Sequence, residues 1–150
     1  MSALSPPLRT KVTERACHRC EYCHLPTRGQ VATFPIDHVV PKSAGGANDD
    51  RNLALCCPHC NAQKWKTAEA IDPSTKRTAP YFNPRSDVWE EHFRWSEAEL
   101  GLLIGITSIG RATIVGLQIN APTMLELREL LNQLGLLPEI NHDRKHLPAK

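Results

Sequence analysis

Two Cys-x-x-Cys pairs in the first half of this chain constrain its fold more than any other feature. The pairs are Cys20/Cys23 and Cys57/Cys60, and residues 24–56 separate them. Each pair can turn two thiolates toward one ion, and four thiolates complete the closed, tetrahedral shell of a structural zinc site. Two correctly spaced pairs rarely arise by chance. The sequence therefore predicts one structural Zn²⁺ held by these four cysteines.

Neighbouring residues leave the ligand set open to alternatives. Cys17 forms an overlapping pair with Cys20, and Cys56 adjoins Cys57, so a shifted set is an alternative. We favour Cys20 with Cys23 because Cys23 is nearest the strand that follows. Cys17 and Cys56 better fit the role of small buried hydrophobes. Three histidines are also near enough to substitute as ligands: His18, His24 and His59.

The composition is that of an ordinary water-soluble chain. It has 150 residues, 41% hydrophobic and 23% charged, which suits one domain or a small catalytic module with an extension. The amino terminus lacks the pattern of a signal peptide, and the longest apolar run, 102–106, is too short to cross a bilayer. We therefore expect a cytoplasmic protein without membrane association. In a reducing cytosol, six cysteines favour metal ligands or free thiols over disulfides.

Positive charge is concentrated in the half that carries the cysteine pairs. Residues 1–80 contain 11 Lys+Arg and 7 Asp+Glu, a net charge of +4, whereas residues 81–150 contain 7 and 9, a net charge of −2. An excess of this kind suits contact with phosphate, although solvated surface charge is the alternative explanation.

Residue patterning predicts a mixed α and β chain. Pro58 suits the first turn of a helix, and the glycine-rich and Asn/Asp-rich segment before it has turn chemistry. The predicted elements of the first half are a helix at 8–16, a strand at 30–36, a loop at 42–52, a strand at 53–56 and a helix from 58 to about 70.

The second half is predicted to be a small α/β extension. It begins with an irregular linker at 72–83, followed by an aromatic segment, a strand at 102–107, a helix at 111–119 and a helix at 123–134. Thr123 and Glu126 have the spacing of a capping box, and Gly135 is a suitable stop. Three aromatics are expected in the core rather than on the bases of an unpaired strand: Trp89, Phe93 and Trp95.

These elements predict three parts of the chain. They are a metal-bound module at 8–71, an extension at 72–140 that packs on or beside it, and a flexible tail at 141–150. The leucines of 125–134 can line the core or a dimer surface, so both a monomer and a homodimer remain open.

Groups suited to phosphodiester hydrolysis lie beside the cysteines. The His38 imidazole can act as general base on water, since imidazole titrates near neutral pH. Oxygen atoms of Asp37 and Asn61 suit Mg²⁺ or Mn²⁺, which would act as a Lewis acid on the phosphate and the departing oxygen. Taken singly, His38 is better explained as a packed structural histidine, and Asp37 as a cap or turn residue.

The combined pattern resembles the zinc-stapled branch of the HNH endonucleases over about residues 15–70. It runs through Cys-x-x-Cys, Asp37-His38-Val39-Val40-Pro41-Lys42-Ser43, Gly45-Gly46, Asn52-Leu53 and Cys57-x-x-Cys60-Asn61-x-x-Lys64. The resemblance implies an α+β protein with a ββα-metal (His-Me finger) nuclease core, in which two strands and a helix surround one catalytic cation.

The same resemblance implies roles for individual residues. His38 matches the general base, Asp37 matches the acid that binds the cation, and Asn52 matches the residue that orients the loop and the imidazole. Asn61 stands where the family name expects histidine, which makes this an HNN-type variant. Its carbonyl oxygen can still ligate a cation, and a water or His59 could replace it.

Basic residues near this centre are candidates for contact with nucleic acid: Lys42, Arg51, Lys64 and Lys66. Lys64 is the best of these because it lies one helical turn past Asn61. No base-reading helix is recognisable, so we expect contacts to the DNA backbone with low sequence specificity. The sequence thus predicts a metal-dependent DNA endonuclease. The alternatives are a zinc-stapled nucleic-acid-binding module without catalysis and a redox protein, the latter disfavoured because four paired thiolates suit zinc.

Overall fold

The computed structural model describes residues 4–65 and 67–141. Lys66, one of the predicted nucleic-acid contacts, and residues 142–150 of the predicted tail lie outside the described residues. The described helices are α1 (Pro6–Arg15), α2 (Pro58–Lys64), α3 (Trp89–His92), α4 (Ser108–Gly116) and α5 (Pro122–Gln133). The strands are β1 (Ile36–His38), β2 (Leu53–Leu55), β3 (Glu69–Ile71), β4 (Thr78–Pro80), β5 (Phe93–Trp95) and β6 (Leu103–Gly105).

A hairpin followed by a helix forms the first half of the fold. β1 pairs antiparallel with β2, so that His38 lies opposite Leu53. α2 begins at Pro58, as its ring predicts, and the Cys57 sulfur caps it by accepting the Cys60 backbone N–H at 3.3 Å. Two strands and a helix in this order match the expected ββα arrangement, and the α+β class is confirmed.

Two boundaries in this half differ from the prediction. The strand expected at 30–36 begins only at Ile36, and Val31 is fully exposed. Pro35 has no N–H to donate to a ladder, which explains why pairing starts after it. The helix expected to reach about residue 70 ends at Lys64, because Trp65 adopts a φ of +41° that no α-helix accommodates.

A second hairpin occupies the segment predicted to be an irregular linker. β3 pairs antiparallel with β4 across a turn that Asp72 organises. The Asp72 carboxylate accepts bonds from the backbone N–H of Ser74 and the hydroxyl of Thr75, at 2.9 and 3.0 Å. This Asx-type turn chemistry is local and outweighs the proline content of the segment. The predicted boundary between residues 71 and 72 therefore cuts through a hairpin.

The rest of the extension follows the predicted order of elements, with shifted ends. α5 begins at Pro122 with Ala121 as its N-cap, so Thr123 lies inside the helix and the predicted capping box does not form. Gly135 follows the helix with a φ of +72°, as expected of a stop. Phe93 and Trp95 are buried, which confirms the expectation that the aromatic segment belongs to the core.

The extension shares one hydrophobic core with the ββα half. The cluster of buried side chains runs from Val12 through Ile140. Polar contacts also cross between the halves: the Trp89 indole N–H donates to the Tyr22 carbonyl at 2.9 Å, and Arg85 forms an ion pair with Glu21. Within the part of the chain that the structure describes, no helix is long and apolar enough to cross a membrane.

Candidate functional site

Four cysteine sulfurs meet in the interior of the ββα half. Their Sγ atoms all lie within 4.8 Å of one another, and the residues are buried. The Cys23 and Cys57 sulfurs are 3.7 Å apart. A tetrahedral ion with bonds of about 2.3 Å to sulfur would hold its ligands about 3.8 Å apart. The cluster is therefore compatible with a zinc site, and its members are the four predicted residues: Cys20, Cys23, Cys57 and Cys60.

The electrostatics of the cluster favour a divalent cation. Burial alone would raise the pKa of Cys20, but the sulfurs around it, Cys23, Cys57 and Cys60 among them, act as donors and lower it well below its usual range. The Cys20 and Cys23 sulfurs in turn raise the pKa values of Cys57 and Cys60. Mutual repulsion thus opposes more than one thiolate, and four thiolates require a positive ion among them.

The alternative zinc ligands lie elsewhere. Cys17 is exposed, whereas Cys56 is buried beside the cluster, where its thiol donates to the Cys20 sulfur. His24 stacks on Trp89 with ring centroids 4.0 Å apart, and burial lowers the pKa of His24 to about 4. His59 donates through Nε2 to the Gln118 carbonyl at 2.9 Å. None of these belongs to the four-sulfur cluster.

A cleft of about 500 Å³ lies beside the hairpin and α2. It brings together His38 and Asn61, predicted to be catalytic, and Asp37, predicted to hold the cation: β1 supplies Asp37 and His38, and α2 supplies Asn61. The third predicted catalytic residue, Asn52, lines a neighbouring pocket instead. The complete lining of the cleft is Ile36, Asp37, His38, Pro41, Lys42, Ser43, Asn61 and Trp65. An acid, an imidazole, a carboxamide and an ammonium thus meet in one cleft, a set that can serve both a cation and a phosphate.

The partner of the His38 ring is a residue that the sequence analysis missed. Nε2 of His38 lies 2.9 Å from Oδ1 of Asn48, in the loop between the strands. A carboxamide oxygen only accepts, so Nε2 carries the proton and Nδ1 carries the free lone pair. The only sequence signal was a carboxamide in a turn-rich loop, which does not identify its partner.

Asn52 organises the loop rather than the imidazole. Its Oδ1 accepts the Val40 backbone N–H at 2.8 Å, and its Nδ2 donates to the carbonyls of Val40 and Ala47, at 3.0 and 2.9 Å. These bonds fix both ends of the segment that follows His38. The expected role in orienting the loop agrees with this geometry, while the expected bond to the ring comes from Asn48 instead.

Asp37 lies in a buried polar network beneath the cleft. Its Oδ2 accepts the Tyr22 hydroxyl at 2.7 Å and lies 3.0 Å from the Lys64 ammonium. Burial and the Asp37 charge raise the pKa of Tyr22 well above its usual value, so the phenol keeps its proton and donates. Oδ1 accepts one bond, from Lys64 at 3.2 Å, which leaves it with lone-pair capacity on the carboxylate.

The structure corrects the expected role of Lys64. Its side chain is buried, and its ammonium also donates to the carbonyls of His38 and Val39, at 3.1 and 3.2 Å. With Asp37, these acceptors use all three of its N–H donors. Lys64 therefore fastens α2 to β1 instead of contacting a phosphate.

The other predicted phosphate contacts are divided between two places. Lys42 lines the cleft with His38. Arg51 lies 87% exposed on a neighbouring surface, where its guanidinium pairs with Asp49 at 3.1 Å. The structure thus places Lys42, but not Arg51, in the cleft.

The buried four-sulfur cluster and the cleft beside β1 and α2 lie in one small ββα unit. This is the arrangement that the cysteine pairs and the Asp37-His38 motif predict. Residues 20–67 match the family model for the HNH endonuclease. The matched segment contains the four cysteines and every predicted catalytic residue. The family indicates a nuclease or a nucleic-acid-binding function. No curated protein matches the chain.

Proposed function

We propose that this protein is a metal-dependent endonuclease that hydrolyses DNA phosphodiester bonds. The observation that carries the proposal is the meeting of Asp37, His38 and Asn61 in one cleft of the segment that matches the HNH family. Zn²⁺ in the four-cysteine cluster would be structural, since four protein ligands leave no open position for chemistry.

His38 is the proposed general base. Its Nε2 is engaged by Asn48, so Nδ1 is the nitrogen that accepts a proton from the attacking water. The Asn48 bond holds the ring in one tautomer, and Asn52 holds the adjoining loop. The residues around the imidazole thus keep it oriented without occupying its basic nitrogen.

Asp37 and Asn61 are the residues that would hold a catalytic Mg²⁺ or Mn²⁺. Both offer oxygen donors to the cleft, and Oδ1 of Asp37 retains lone-pair capacity, so the donor set fits a hard cation that keeps several waters. When bound, such a cation supplies Lewis-acid stabilisation of charge on the phosphate and the leaving oxygen. Lys42 is the proposed contact to the DNA backbone, without reading of sequence.

One observation favours the second candidate, a zinc-stapled nucleic-acid-binding module without catalysis. The buried Lys64 ammonium already neutralises Asp37 at 3.0 Å. A positive charge at that distance opposes a second cation on the same carboxylate. In a purely binding module, Asp37 would have no function beyond this buried ion pair.

A plasmid-nicking assay distinguishes the two candidates. Purified protein is incubated with supercoiled plasmid and Mg²⁺ or Mn²⁺, beside His38→Ala and the control His18→Asn. His18 is exposed and has a φ of +57°, which asparagine tolerates. We expect His38→Ala to lower the nicking rate at least about 100-fold, while His18→Asn nicks normally.

Equal nicking by the parent protein and His38→Ala would contradict the proposal and favour the binding module. An excess of RNA added as competitor tests the preference for DNA. If RNA suppresses nicking as effectively as unlabelled DNA of the same length, DNA is not the preferred partner.

A further inference from the structure

Trp65 holds an unusual backbone conformation at the end of α2. Its φ is +41° and its ψ is −114°, a region that a large side chain rarely adopts. The turn is fixed on both sides. The Trp65 N–H donates to the Asn61 carbonyl at 3.1 Å, and the Thr67 N–H and hydroxyl each donate to the Lys64 carbonyl at 2.7 Å. Glycine would fit this position without strain, yet the sequence has its largest residue type there.

Burial does not explain the choice of residue. Trp65 is 75% exposed, whereas Trp95 is 5% exposed and belongs to the core. The indole of Trp65 therefore gives up most of the stabilisation that a buried aromatic provides. A positive φ is strained for a residue other than glycine, and conformations of this kind concentrate at functional sites.

The position of Trp65 supplies the functional context. It lines the same cleft as His38, Asn61 and Lys42. An apolar ring thus borders a group of side chains suited to a phosphate and a cation, and a nucleotide unit combines an aromatic base with a phosphate.

We propose that Trp65 is a stacking platform for an unpaired nucleobase next to the phosphate bound in the cleft. An indole stacks on any base whose face is open, and within a duplex both faces of a base are covered by its neighbours. The platform therefore gives the protein a preference for single-stranded or locally opened nucleic acid. This inference rests on the proposed function in one respect, that the ligand is a nucleic acid. It does not require that the protein hydrolyses that ligand.

The test measures binding in full-length protein that carries His38→Ala, so that no strand is cut. Fluorescence anisotropy is recorded with labelled single-stranded DNA, single-stranded RNA, duplex DNA and a DNA strand whose central nucleotides are abasic. The variants are Trp65→Gly, Trp65→Phe and a control, Leu134→Ala, which removes another large side chain that is 70% exposed.

We expect Trp65→Gly to weaken binding of the base-bearing single strands about tenfold, consistent with the contribution of one stacked base. Binding of the abasic strand changes by less than about twofold, and Trp65→Phe retains most of the affinity because a ring remains. The DNA and RNA arms identify which strand supplies the base. An equal loss for abasic and base-bearing strands, or no loss for either, would overturn the proposal.

Thermal stability provides a second measurement. A structural role of Trp65 predicts a lower Tm in Trp65→Gly, whereas the stacking role does not. Since glycine relieves the positive φ, Trp65→Gly should have a Tm equal to or above that of the parent protein. A lower Tm together with an equal loss of affinity for abasic and base-bearing strands would assign Trp65 to the fold and overturn the proposal. If the plasmid assay shows no nicking, the expected binding results would still support the stacking role of Trp65. If the protein binds none of the strands, both the stacking role and the proposed nuclease function are contradicted.

Discussion

The ammonium nitrogen of Lys64 lies 3.0 Å from Oδ2 of Asp37, and only 3% and 9% of the two side chains are exposed. This buried ion pair joins the last residue of α2 to the centre of β1, so it fixes the helix that carries Asn61 against the strand that carries His38. Removal of one partner would leave a buried charge uncompensated.

Lys64→Met should therefore be strongly destabilising. We expect a loss of about 3–5 kcal/mol in the free energy of unfolding, measured by urea denaturation of the zinc-loaded protein. The double variant Asp37→Asn/Lys64→Met should recover part of this loss because no unpaired charge remains. Lys11→Met is the matched control, since Lys11 is 62% exposed in its pair with Asp50 and should contribute little. A loss as small as that of the control would show that the buried pair is not formed.

Asn48→Ala tests the orientation of His38, the proposed general base. Loss of the bond to Nε2 frees the ring to rotate and to change tautomer, so we expect kcat for nicking to fall about tenfold with KM little changed. Asn48→Asp keeps an acceptor oxygen and should retain most of the activity. Initial rates over a range of plasmid concentrations separate the two parameters. If Asn48→Asp loses as much activity as Asn48→Ala, the acceptor is not the important property of Asn48.

Removal of one zinc ligand should unfold the ββα half. Cys23→Ser leaves three thiolates, and structural zinc contributes about 10–16 kcal/mol of apparent binding free energy in small zinc domains. Metal analysis should find one zinc per chain in the parent protein and little in Cys23→Ser, with loss of near-ultraviolet circular dichroism. Cys17→Ser is the control because Cys17 is exposed and outside the cluster. Full zinc content in Cys23→Ser would exclude the assigned ligand set.

The Asp72–Arg111 pair should give the extension a pH-dependent stability. Two bonds of 2.9 Å from the Arg111 guanidinium hold the pKa of Asp72 well below its ordinary value of 3.8. A carboxyl group whose pKa is lower in the folded state than in the unfolded state stabilises the fold fully when the pH is above its unfolded-state pKa. This stabilisation is lost as the pH falls toward the folded-state pKa.

Arg111→Met should therefore lower Tm at pH 7, and the difference from the parent protein should narrow at pH 3. Arg51→Met is the matched control, because Arg51 pairs with Asp49 at an exposed surface and should change Tm little at either pH. A Tm difference that is the same at both pH values would show that the ionised Asp72 is not the source of the effect.

Ligand spacing and side-chain chemistry predict which cysteines meet in the four-sulfur cluster and three of the residues that meet in the cleft. The four cysteines, Asp37, His38 and Asn61 were all expected near one another, because ligand spacing constrains where a chain can turn. The ion pair between Lys64 and Asp37 cannot be predicted from residue spacing. A lysine one turn past Asn61 suits a surface contact as well as a buried ion pair, and only the packing of α2 on β1 decides between them.

Turn chemistry and backbone strain account for the main errors in the fold. Prolines around residues 72–83 suggested an irregular linker, but the hydrogen bonds of Asp72 close a hairpin there. The end of α2 was placed too late because the sequence shows no glycine or proline at Trp65, where the positive φ occurs. Both features rest on local hydrogen bonds that the positions of glycine and proline do not reveal: those of Asp72 with Ser74 and Thr75, and those of Thr67 with the Lys64 carbonyl.

Tyr22 joins the two halves of the molecule through opposite ends of one residue. Its hydroxyl donates to Asp37, while its carbonyl accepts the indole N–H of Trp89 in the extension. A fragment trimmed to the boundaries of the family match, residues 20–67, would lose Trp89 and the side chains with which the extension contributes to the shared core. Transfer of the matched segment to another protein would therefore require the extension to be transferred with it.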